Sequence, residues 1–446
     1  MNITLLNHSS LLFSLNNNKN IFLTDFWNLS PAFGSWLPSV LPFYNPTYLA
    51  SLSYKPNFYL IISHAHDDHI DDDFLRKYFN KDMKIIISKF PSPALGRRLN
   101  KLGFENLIHI DSREKLKIKD FEATTVVDET VSNDDSSIVL RDKKYCIYHG
   151  NDNWFVINKE NLLKVKQFVG KRTLAYAAQT NSASGYPLSY PEEKNKSYVL
   201  KNVVRKMLFA GFKNVTNLKA KYYIPYAGFA KPYLKNKDYY SECIDPIYSN
   251  LTKLIKKDKI KNKDKLVNIF CGGTLNLKTG KVTYPFNYNP MDAIKITDKY
   301  VRTEGIIKKC DTYNKDFNHK LEDVEVIKSW LESFNQFVNQ YAIRFPKFYP
   351  ETIGKRLRIV VKSEKTQFIS TIEVGSGKFL DDNSSVDKKF EIAENLFMAM
   401  IHKKIIWENF YTGYQAEIVR YPKDNYNKGL LNYLDMYGYK YKNQKI

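Results

Sequence analysis

The sequence predicts an α/β protein with two domains, and three observations support this. Apolar runs of strand length alternate with amphipathic stretches of helical period through residues 1–295. One apolar run, residues 58–62, leads directly into a loop rich in histidine and aspartate. The order of elements then changes, and a long amphipathic helix followed by strands predicts an α+β domain in residues 300–446.

Composition excludes several classes of protein. A chain of 446 residues with 43% hydrophobic residues can bury two cores, and it has no run of the ~18 apolar residues that a membrane span needs. The N-terminus lacks the basic start and cleavage site of a signal peptide. Cys146, Cys243, Cys271 and Cys310 form no C-x-x-C pair, which argues against disulfides and cysteine-based metal sites. A reducing cytoplasmic location is expected.

The net charge of +21 has two interpretations. It indicates a small anionic substrate, or it reflects a composition heavy in Lys, Asn, Tyr and Ile throughout. Candidate cations for such a substrate are Arg172, Lys221 and Lys231. The lysine run from Lys253 to Lys265 has no interleaved aromatic residues for base stacking, so nucleic acid is not an expected partner.

The first elements in chain order are a hairpin and an aromatic loop. Apolar runs between residues 3 and 24 predict paired strands. A Pro/Gly-containing loop with Trp27 and Trp36 follows, and we expect Trp36 to line a substrate pocket. A hydrophobic cap is an equally open interpretation of this loop.

The residues with the clearest chemistry follow the strand predicted at residues 58–62. The loop reads Ser-His-Ala-His-Asp-Asp-His-Ile over residues 63–70, and it holds three of the chain's eight histidines. Imidazole and carboxylate groups are the usual ligands of zinc and non-haem iron. His64, His66, Asp68 and His69 are therefore the candidate metal ligands. A solvated polar loop is the alternative, and packing alone does not explain this density of ligands.

Alternation of strands and helices continues after the loop. Strands are predicted at 83–88, 107–110, 116–127, 136–140 and 144–148, with helices from about Asp71 and over 93–102. This pattern suits a four-layer αβ/βα sandwich. His109 lies within an apolar run and is expected to be structural.

The C-terminal domain is predicted to combine one sheet with several helices. The patterns predict helices over 321–341, 389–404 and 427–437, and strands over 355–361, 366–372, 377–380 and 411–421. A sterol-carrier-like α+β fold is our expectation for it. Its role, in completing the pocket or in dimerisation, stays open.

The pattern H-x-H-x-D-H from His64 to His69 resembles the metallo-β-lactamase superfamily. The resemblance implies that His64 and His66 bind one metal, and that Asp68 and His69 bind a second. It also implies a bridging carboxylate after a later strand, and Asp152 is the candidate, with a role in an Asx turn as the alternative. The superfamily hosts several chemistries, so the motif indicates the fold better than the reaction.

Four further blocks, at residues 30–36, 181–190, 223–229 and 272–277, resemble those of CMP-N-acetylneuraminate hydroxylase in the same order. This resemblance implies an oxygenase that acts on a sugar nucleotide. It also suggests that Ser184, Tyr186 and Tyr226 contact the substrate.

Two departures from that family affect the expected chemistry. The chain has no C-x-H pair for a Rieske cluster, so an oxygenase would need an external electron donor. The family's third histidine ligand is also missing from residues 128–135, where Asp128, Glu129 or Asp134 could replace it. Two histidines and one carboxylate would suit iron(II). A single metal, or lost activity, remains an alternative.

The expected function is therefore that of a metal-dependent enzyme with one or two divalent ions, Fe or Zn. Asp68 and Asp152 are the candidate catalytic residues. The first expectation is a reaction on an anionic substrate such as a sugar nucleotide, with electrons from a donor if the enzyme is an oxygenase. Hydrolysis of a phosphoester, lactone or amide is the alternative, and a non-catalytic binding protein on the same fold is the third.

Overall fold

The computed structural model describes residues 1–17, 19–41, 44–90, 92–112, 114–127, 135–153, 156–180, 186–233, 260–285, 290–312, 320–343, 346, 348–402, 405–423 and 427–437. Glu129, Ser184 and most of the lysine run lie outside these ranges. The chain divides into two compact units. The first comprises Met1–Ala32, Trp36–Ala183 and Ser197–Ile307, and the second comprises Phe33–Ser35, Ser184–Lys196 and Lys308–Ile446.

The first unit contains the strands from residue 2 to residue 283. They are β1 (Asn2–Leu5), β2 (Leu11–Leu15), β3 (Asn20–Thr24), β4 (Trp36–Pro38), β5 (Phe58–Ile62), β6 (Lys84–Ser88), β7 (Leu107–Ile110), β8 (Leu116–Ile118), β9 (Phe121–Val127), β10 (Ser136–Arg141), β11 (Tyr145–Asn151), β12 (Thr173–Gln179), β13 (Tyr222–Tyr226), β14 (Ala230–Pro232), β15 (Thr274–Asn276) and β16 (Val282–Thr283). The described helices up to residue 312 are α1 (Pro46–Ser53), α2 (Asp72–Tyr78), α3 (Ala94–Lys101), α4 (Lys159–Val169), α5 (Lys196–Leu218), α6 (Pro290–Thr303) and α7 (Ile307–Thr312).

Two large sheets form the centre of this unit. One has eight strands in the order β16-β15-β1-β2-β3-β5-β6-β7, and the other has six in the order β13-β12-β11-β10-β9-β8. Strands β3, β5, β6 and β7 run parallel in the first sheet, and β11, β12 and β13 run parallel in the second. Parallel strands place their carboxyl ends at one edge of a sheet, where loops can gather functional groups.

The two sheets pack face to face, with helices on their outer faces. The rings of Phe22 and Tyr59 meet Phe121 of the facing sheet at centroid distances of 4.9 Å and 5.1 Å. Phe58, next along β5, points the other way and meets Phe79 at the end of α2. On the second sheet, Phe212 of α5 packs edge-on against Tyr223 of β13. The predicted α/β four-layer sandwich is therefore confirmed.

The second unit has its own sheet and core. Its strands are β17 (Arg356–Lys362), β18 (Gln367–Glu373), β19 (Lys378–Leu380), β20 (Lys388–Ala393) and β21 (Ala416–Arg420), and its described helices from residue 320 onward are α8 (Glu325–Gln340), α9 (Tyr349–Thr352), α10 (Glu394–Ile401), α11 (Glu408–Tyr411) and α12 (Lys428–Asp435). The sheet order is β19-β18-β17-β20-β21. Trp330 and Trp407 stack at 5.1 Å in the core of this α+β unit.

Two predictions in this region are wrong. The helix predicted over 389–404 is strand β20 followed by the shorter helix α10. Lys388, Phe390 and Ile392 are buried at every second position, which is the strand period, and β20 pairs with β17 and β21. The strand predicted over 411–421 begins only at Ala416, because residues 408–411 form a helical turn.

Helix α5 has the length of a membrane span but not the composition. It runs for 23 residues and carries lysine or arginine on most of its turns. Within the ranges that the structure describes, no helix is both long enough and apolar enough to span a membrane.

Candidate metal centre

The histidine-rich loop lies at the carboxyl end of β5, a strand that is buried along its whole length. Residues 63–70 connect β5 to α2, and Asp71 caps α2 by accepting the Phe74 N–H at 3.0 Å. The second oxygen of Asp71 accepts N–H groups from residues 28–30. This carboxylate therefore fixes both the end of the loop and the neighbouring aromatic segment.

Arg98 of α3 holds the loop from the other side. Its guanidinium donates to the Ala65 carbonyl at 2.6 Å and pairs with Asp67 at 3.0 Å and Asp72 at 2.9 Å. Asp67, the one loop carboxylate that was not proposed as a ligand, is thus part of this clamp. The planar fork of arginine suits such several-sided contacts better than the point charge of lysine.

Three groups of side chains have ligand atoms within 4.8 Å of one another, as a metal ion requires. They are His64, His66 and Asp135; His64, His69 and Asp152; and His8, Asp68 and His69. His64 is common to the first two groups and His69 to the last two, so the three form one continuous cluster. The structure thus brings together His64, His66, Asp68, His69 and Asp152, which the sequence singled out, and adds His8 and Asp135.

Asp135 occupies the position for which the sequence offered Asp128, Glu129 or Asp134. Its Oδ1 lies 4.0 Å from His64 Nε2, directly before β10. Residues 128–134 lie outside the described residues. A carboxylate beside His64 and His66 gives the two-histidine, one-carboxylate set that was expected here.

Asp152 lies between the other members of the cluster. Its two oxygens are 3.5 Å from His69 Nε2 and 3.8 Å from His64 Nε2. It follows β11 by one residue. A carboxylate that faces two histidines with different oxygens could hold two metal ions.

A buried carboxylate, Asp25, supports the cluster from behind. It accepts the Ser63 N–H and Oγ–H at 2.8 Å each, and it lies 2.6 Å from both His149 Nε2 and Asn151 Nδ2. Ser63 Oγ in turn lies 2.8 Å from His64 Nδ1. Second-layer contacts of this kind fix the orientation of ligand imidazoles.

Tyr226 belongs to the same support rather than to an open pocket wall. It is fully buried, and its hydroxyl accepts the Asn151 N–H at 3.1 Å and contacts His149 Nδ1. The network assigns the His149 proton to Nε2, facing Asp25, so Tyr226 donates to Nδ1. The prediction that Tyr226 contacts substrate is corrected on this ground, because its hydroxyl is already engaged inside the core.

Burial and neighbouring charges set the protonation of the cluster. Burial, followed by the nearby His69 and His66, lowers the pKa of His64 to about 3, so its imidazole is neutral and able to bind a metal. Burial opposes protonation of His69, but Asp68 and Asp152 outweigh it and raise its pKa well above the ordinary value. Burial also opposes ionisation of Asp68 and Asp152, yet His69 outweighs it and lowers both carboxyl pKa values.

Several buried atoms of the cluster make no hydrogen bond of good geometry with any residue that the structure describes. They are Asp68 Oδ1, His69 Nε2 and Asp152 Oδ1. Such atoms are costly, by about 1–3 kcal/mol each, unless a partner completes them. A divalent cation would complete all three, so the residues present fit a metal.

The other residues that were proposed to contact the substrate are Trp36, Tyr186 and Ser184. Trp36 is 1% exposed on β4, so its ring offers no surface to a substrate. Tyr186 belongs to the second unit, where its hydroxyl donates to Glu193 at 3.2 Å and its ring packs on Tyr190. Ser184 lies outside the described residues.

The proposed cations do not face the cluster as expected. Arg172 and Lys221 directly precede β12 and β13, at the amino ends of parallel strands. The cluster lies at the carboxyl ends, on the order of 15–20 Å away along strands of this length. Lys231 is paired with Asp298. The prediction that Arg172 and Lys221 bind an anion beside the metal loop is therefore wrong.

Part of this chain is similar in sequence to known proteins. No protein-family model matches it. A segment of 159 residues is 28% identical to a Rieske 2Fe-2S iron–sulfur protein of Mycolicibacterium smegmatis, covering 34% of this chain and 30% of that protein. A Rieske 2Fe-2S iron–sulfur protein of Mycobacterium tuberculosis matches at 27% identity with the same coverage. The chain thus matches less than a third of the length of these relatives.

Solved structures with a related arrangement include a protein from Veillonella parvula described as a possible metal-dependent hydrolase, with a TM-score of 0.42 and 12% identity over 62% of this chain and 98% of that one. CmlA, a diiron β-hydroxylase from Streptomyces venezuelae, has a TM-score of 0.34 and 14% identity over 51% of this chain and 44% of its own. The metallo-β-lactamase-fold protein YhfI from Bacillus subtilis has a TM-score of 0.33 and 14% identity over 57% and 92%. Likeness at this level does not indicate the reaction.

Proposed function

We propose that the protein is a metal-dependent enzyme, and that its metal centre is formed by His64, His66, Asp135, His69 and Asp152. The observation that carries this proposal is the density of buried ligand groups on one loop and its neighbours. Asp68 Oδ1, His69 Nε2 and Asp152 Oδ1 also make no hydrogen bond of good geometry within the described residues. Three imidazoles and two carboxylates in this spacing are hard to explain by packing.

The leading reaction is oxygenation of a small anionic molecule such as a sugar nucleotide. Two histidines and one carboxylate at His64, His66 and Asp135 suit iron(II), and when bound the ion would supply the capacity to react with dioxygen. Blocks of the sequence resemble CMP-N-acetylneuraminate hydroxylase, and the relatives named as Rieske proteins point to iron–sulfur electron donors. The balanced reaction consumes the substrate C–H bond, dioxygen, two electrons and two protons, and gives an alcohol and water.

The chain's own residues would bind, orient and exchange protons. Asp25, through Ser63, His149 and Asn151, holds the imidazoles in place. Asp152 faces two histidines with its two oxygens and would be occupied as a ligand. Asp68 is therefore the carboxylate that can accept a proton beside the reacting atoms, through the oxygen that does not bind the ion. The burial of these groups would exclude bulk water from the reaction.

Hydrolysis is the second candidate, and a specific observation favours it. Asp152 faces His64 and His69 with different oxygens and would be placed to hold two ions, and a pair of divalent ions is the usual arrangement for activating water. A two-histidine, one-carboxylate set also binds catalytic zinc. Hydrolysis of a phosphoester, lactone or amide would need no electron donor.

The deciding experiment compares metals and reductants on one set of substrates. Protein reconstituted anaerobically with iron(II), zinc or manganese is incubated with sugar nucleotides and phosphoesters, with and without a ferredoxin–reductase system. Oxygen uptake that requires iron, donor and substrate together would support the oxygenase. Turnover by the zinc form without reductant would establish the hydrolase instead. Loss of either activity in His64→Ala would assign it to this centre.

A further inference from the structure

His8 lies in the short turn between β1 and β2, and this turn is buried and well anchored. His8 itself is 1% exposed. Its carbonyl accepts the Ala227 N–H, and the Ser9 carbonyl accepts the Thr24 hydroxyl at 3.0 Å. The Ser10 hydroxyl donates to the carbonyl of Asp25 at 2.8 Å. The turn is therefore fixed to the same elements that support the histidine-rich loop.

The imidazole of His8 points toward that loop. Its Nε2 lies 3.3 Å from Asp68 Oδ2, and its ring centroid lies 5.6 Å from the ring of His69 and 5.3 Å from that of Trp27. Neither ring nitrogen of His8 makes a hydrogen bond of good geometry with a residue within the described parts of the chain. A buried imidazole left in this state costs about 1–3 kcal/mol, so a partner for it is to be expected.

The spacing around His8 is that of metal ligands. Asp68 Oδ2 lies 3.3 Å from His8 Nε2 and 3.6 Å from His69 Nε2. Metal–ligand bonds of about 2.0–2.2 Å at tetrahedral angles separate two ligand atoms by roughly 3.4 Å. A simple hydrogen bond between His8 and Asp68 would be shorter, at about 2.7–2.9 Å for a charged pair. Distances near 3.4 Å therefore favour a shared cation over a direct ion pair.

We infer that His8 is a ligand of a second divalent cation, which it binds together with Asp68 and His69. This inference rests on the proposed metal centre and makes it a two-metal centre. His64, His66 and Asp135 would hold the first ion, and Asp152 would connect the two. The second ion thus takes a ligand from the first hairpin of the chain, 56 positions before His64.

The test measures metal content rather than activity. Wild-type protein and the variants His8→Ala, His8→Gln and His109→Ala are loaded with zinc, freed of excess metal and measured by elemental mass spectrometry. His109→Ala is the matched control, because His109 is an exposed histidine on β7. We expect two ions in the wild type and in His109→Ala, and one ion in both His8 variants.

A second measurement separates loss of a ligand from loss of the fold. Cobalt(II) absorbs differently in each ligand environment, so the wild type should fill two spectroscopic sites and the His8 variants one, with unchanged circular dichroism. Two ions in the His8 variants, or one ion in the wild type, would overturn the inference while leaving the proposed function intact. No metal in the wild type would overturn both. Loss of both ions from folded His8→Gln would also contradict the inference, because His8 is assigned to the second ion alone.

Discussion

Substitution of Asp25 by alanine tests the idea that a buried carboxylate supports the whole centre. The change removes the acceptor for Ser63 N–H, Ser63 Oγ–H, His149 Nε2–H and Asn151 Nδ2–H. The serine hydroxyl can turn to His64 Nδ1, 2.8 Å away, and the amide of Asn151 keeps an acceptor in Ser63 Oγ, which it already contacts. The Ser63 N–H and the His149 Nε2–H have no such alternative and would be left unsatisfied.

The magnitude follows from these two groups. Each buried donor without a partner costs about 1–3 kcal/mol, so we expect a loss of about 4 kcal/mol in the free energy of unfolding of the metal-free protein. That value is within the range of about 3–5 kcal/mol for breaking a buried ionic network. Asp25→Asn retains one acceptor oxygen but turns an N–H group toward a donor. We therefore expect it to lower the free energy of unfolding by about half as much as Asp25→Ala.

Hydrogen exchange read by mass spectrometry is the suitable assay, because it reports on peptides from β5 and β11 without requiring one transition for the whole chain. A loss of about 4 kcal/mol corresponds to roughly a thousandfold faster exchange of the slowest amides. Asp73→Ala is the control, since Asp73 is 80% exposed in a surface pair, and should change stability by less than about 0.5 kcal/mol. Equal exchange in Asp25→Ala and Asp73→Ala would refute the supporting role.

Four further predictions concern the loop, its support, its protonation and the second unit. Arg98→Ala should weaken metal affinity about 10–100-fold in calorimetric titration, because it frees the loop backbone, while Arg76→Ala should not. Tyr226→Phe should lower stability by about 1–2 kcal/mol in urea unfolding and leave the metal content unchanged, since it removes only a hydroxyl, which contacts His149 and accepts the Asn151 N–H. At pH values below the raised pKa of His69, metal binding should release a proton from this imidazole. The apparent metal affinity should therefore rise about tenfold per pH unit in competition titrations, and a flat profile would contradict this. Trp407→Ala should cost about 3–5 kcal/mol by thermal unfolding without lowering metal content, because Trp407 lies in the core of the second unit.

The fold could be predicted from sequence where the local pattern was strong. The run Phe58–Ile62 is the strand as predicted, since five consecutive apolar residues before a polar loop are typical of a buried strand. The helix predicted over 389–404 failed because Glu391 and the lysines around Phe390 suit an exposed helix equally well. Only pairing with β17 and β21, which involves distant residues, makes that segment a strand.

The centre itself was predictable only in part. The loop ligands lie within six positions of sequence, so their density was visible, and Asp152 followed from its place after a strand. His8 and Asp25 are marked more weakly in the sequence, because they are single polar residues that follow apolar runs at the ends of strands. Their role depends on how two sheets meet, which no local pattern encodes. Asp135 lies at the edge of residues 128–135, where a replacement ligand was expected, and its local sequence does not distinguish it from its acidic neighbours.

The prediction for two of the candidate cations was wrong for a topological reason. Arg172 and Lys221 were chosen for their closeness in sequence to the resemblance blocks, but a strand carries its two ends to opposite edges of the sheet. Their charge alone therefore did not indicate that they lie at the edge of the sheet opposite to the metal loop. An anionic substrate, if one binds, would rely on the metal ions or on other cations near the loop.

The most direct test of the account is the metal content of the wild type and of a double variant, His64→Ala with His66→Ala, after identical anaerobic loading. His109→Ala serves as the control for loss of a histidine. The account predicts at least one stoichiometric ion in the wild type and in the control, and loss of the ion held with Asp135 in the double variant. Equal metal content in all three proteins would contradict the existence of this centre.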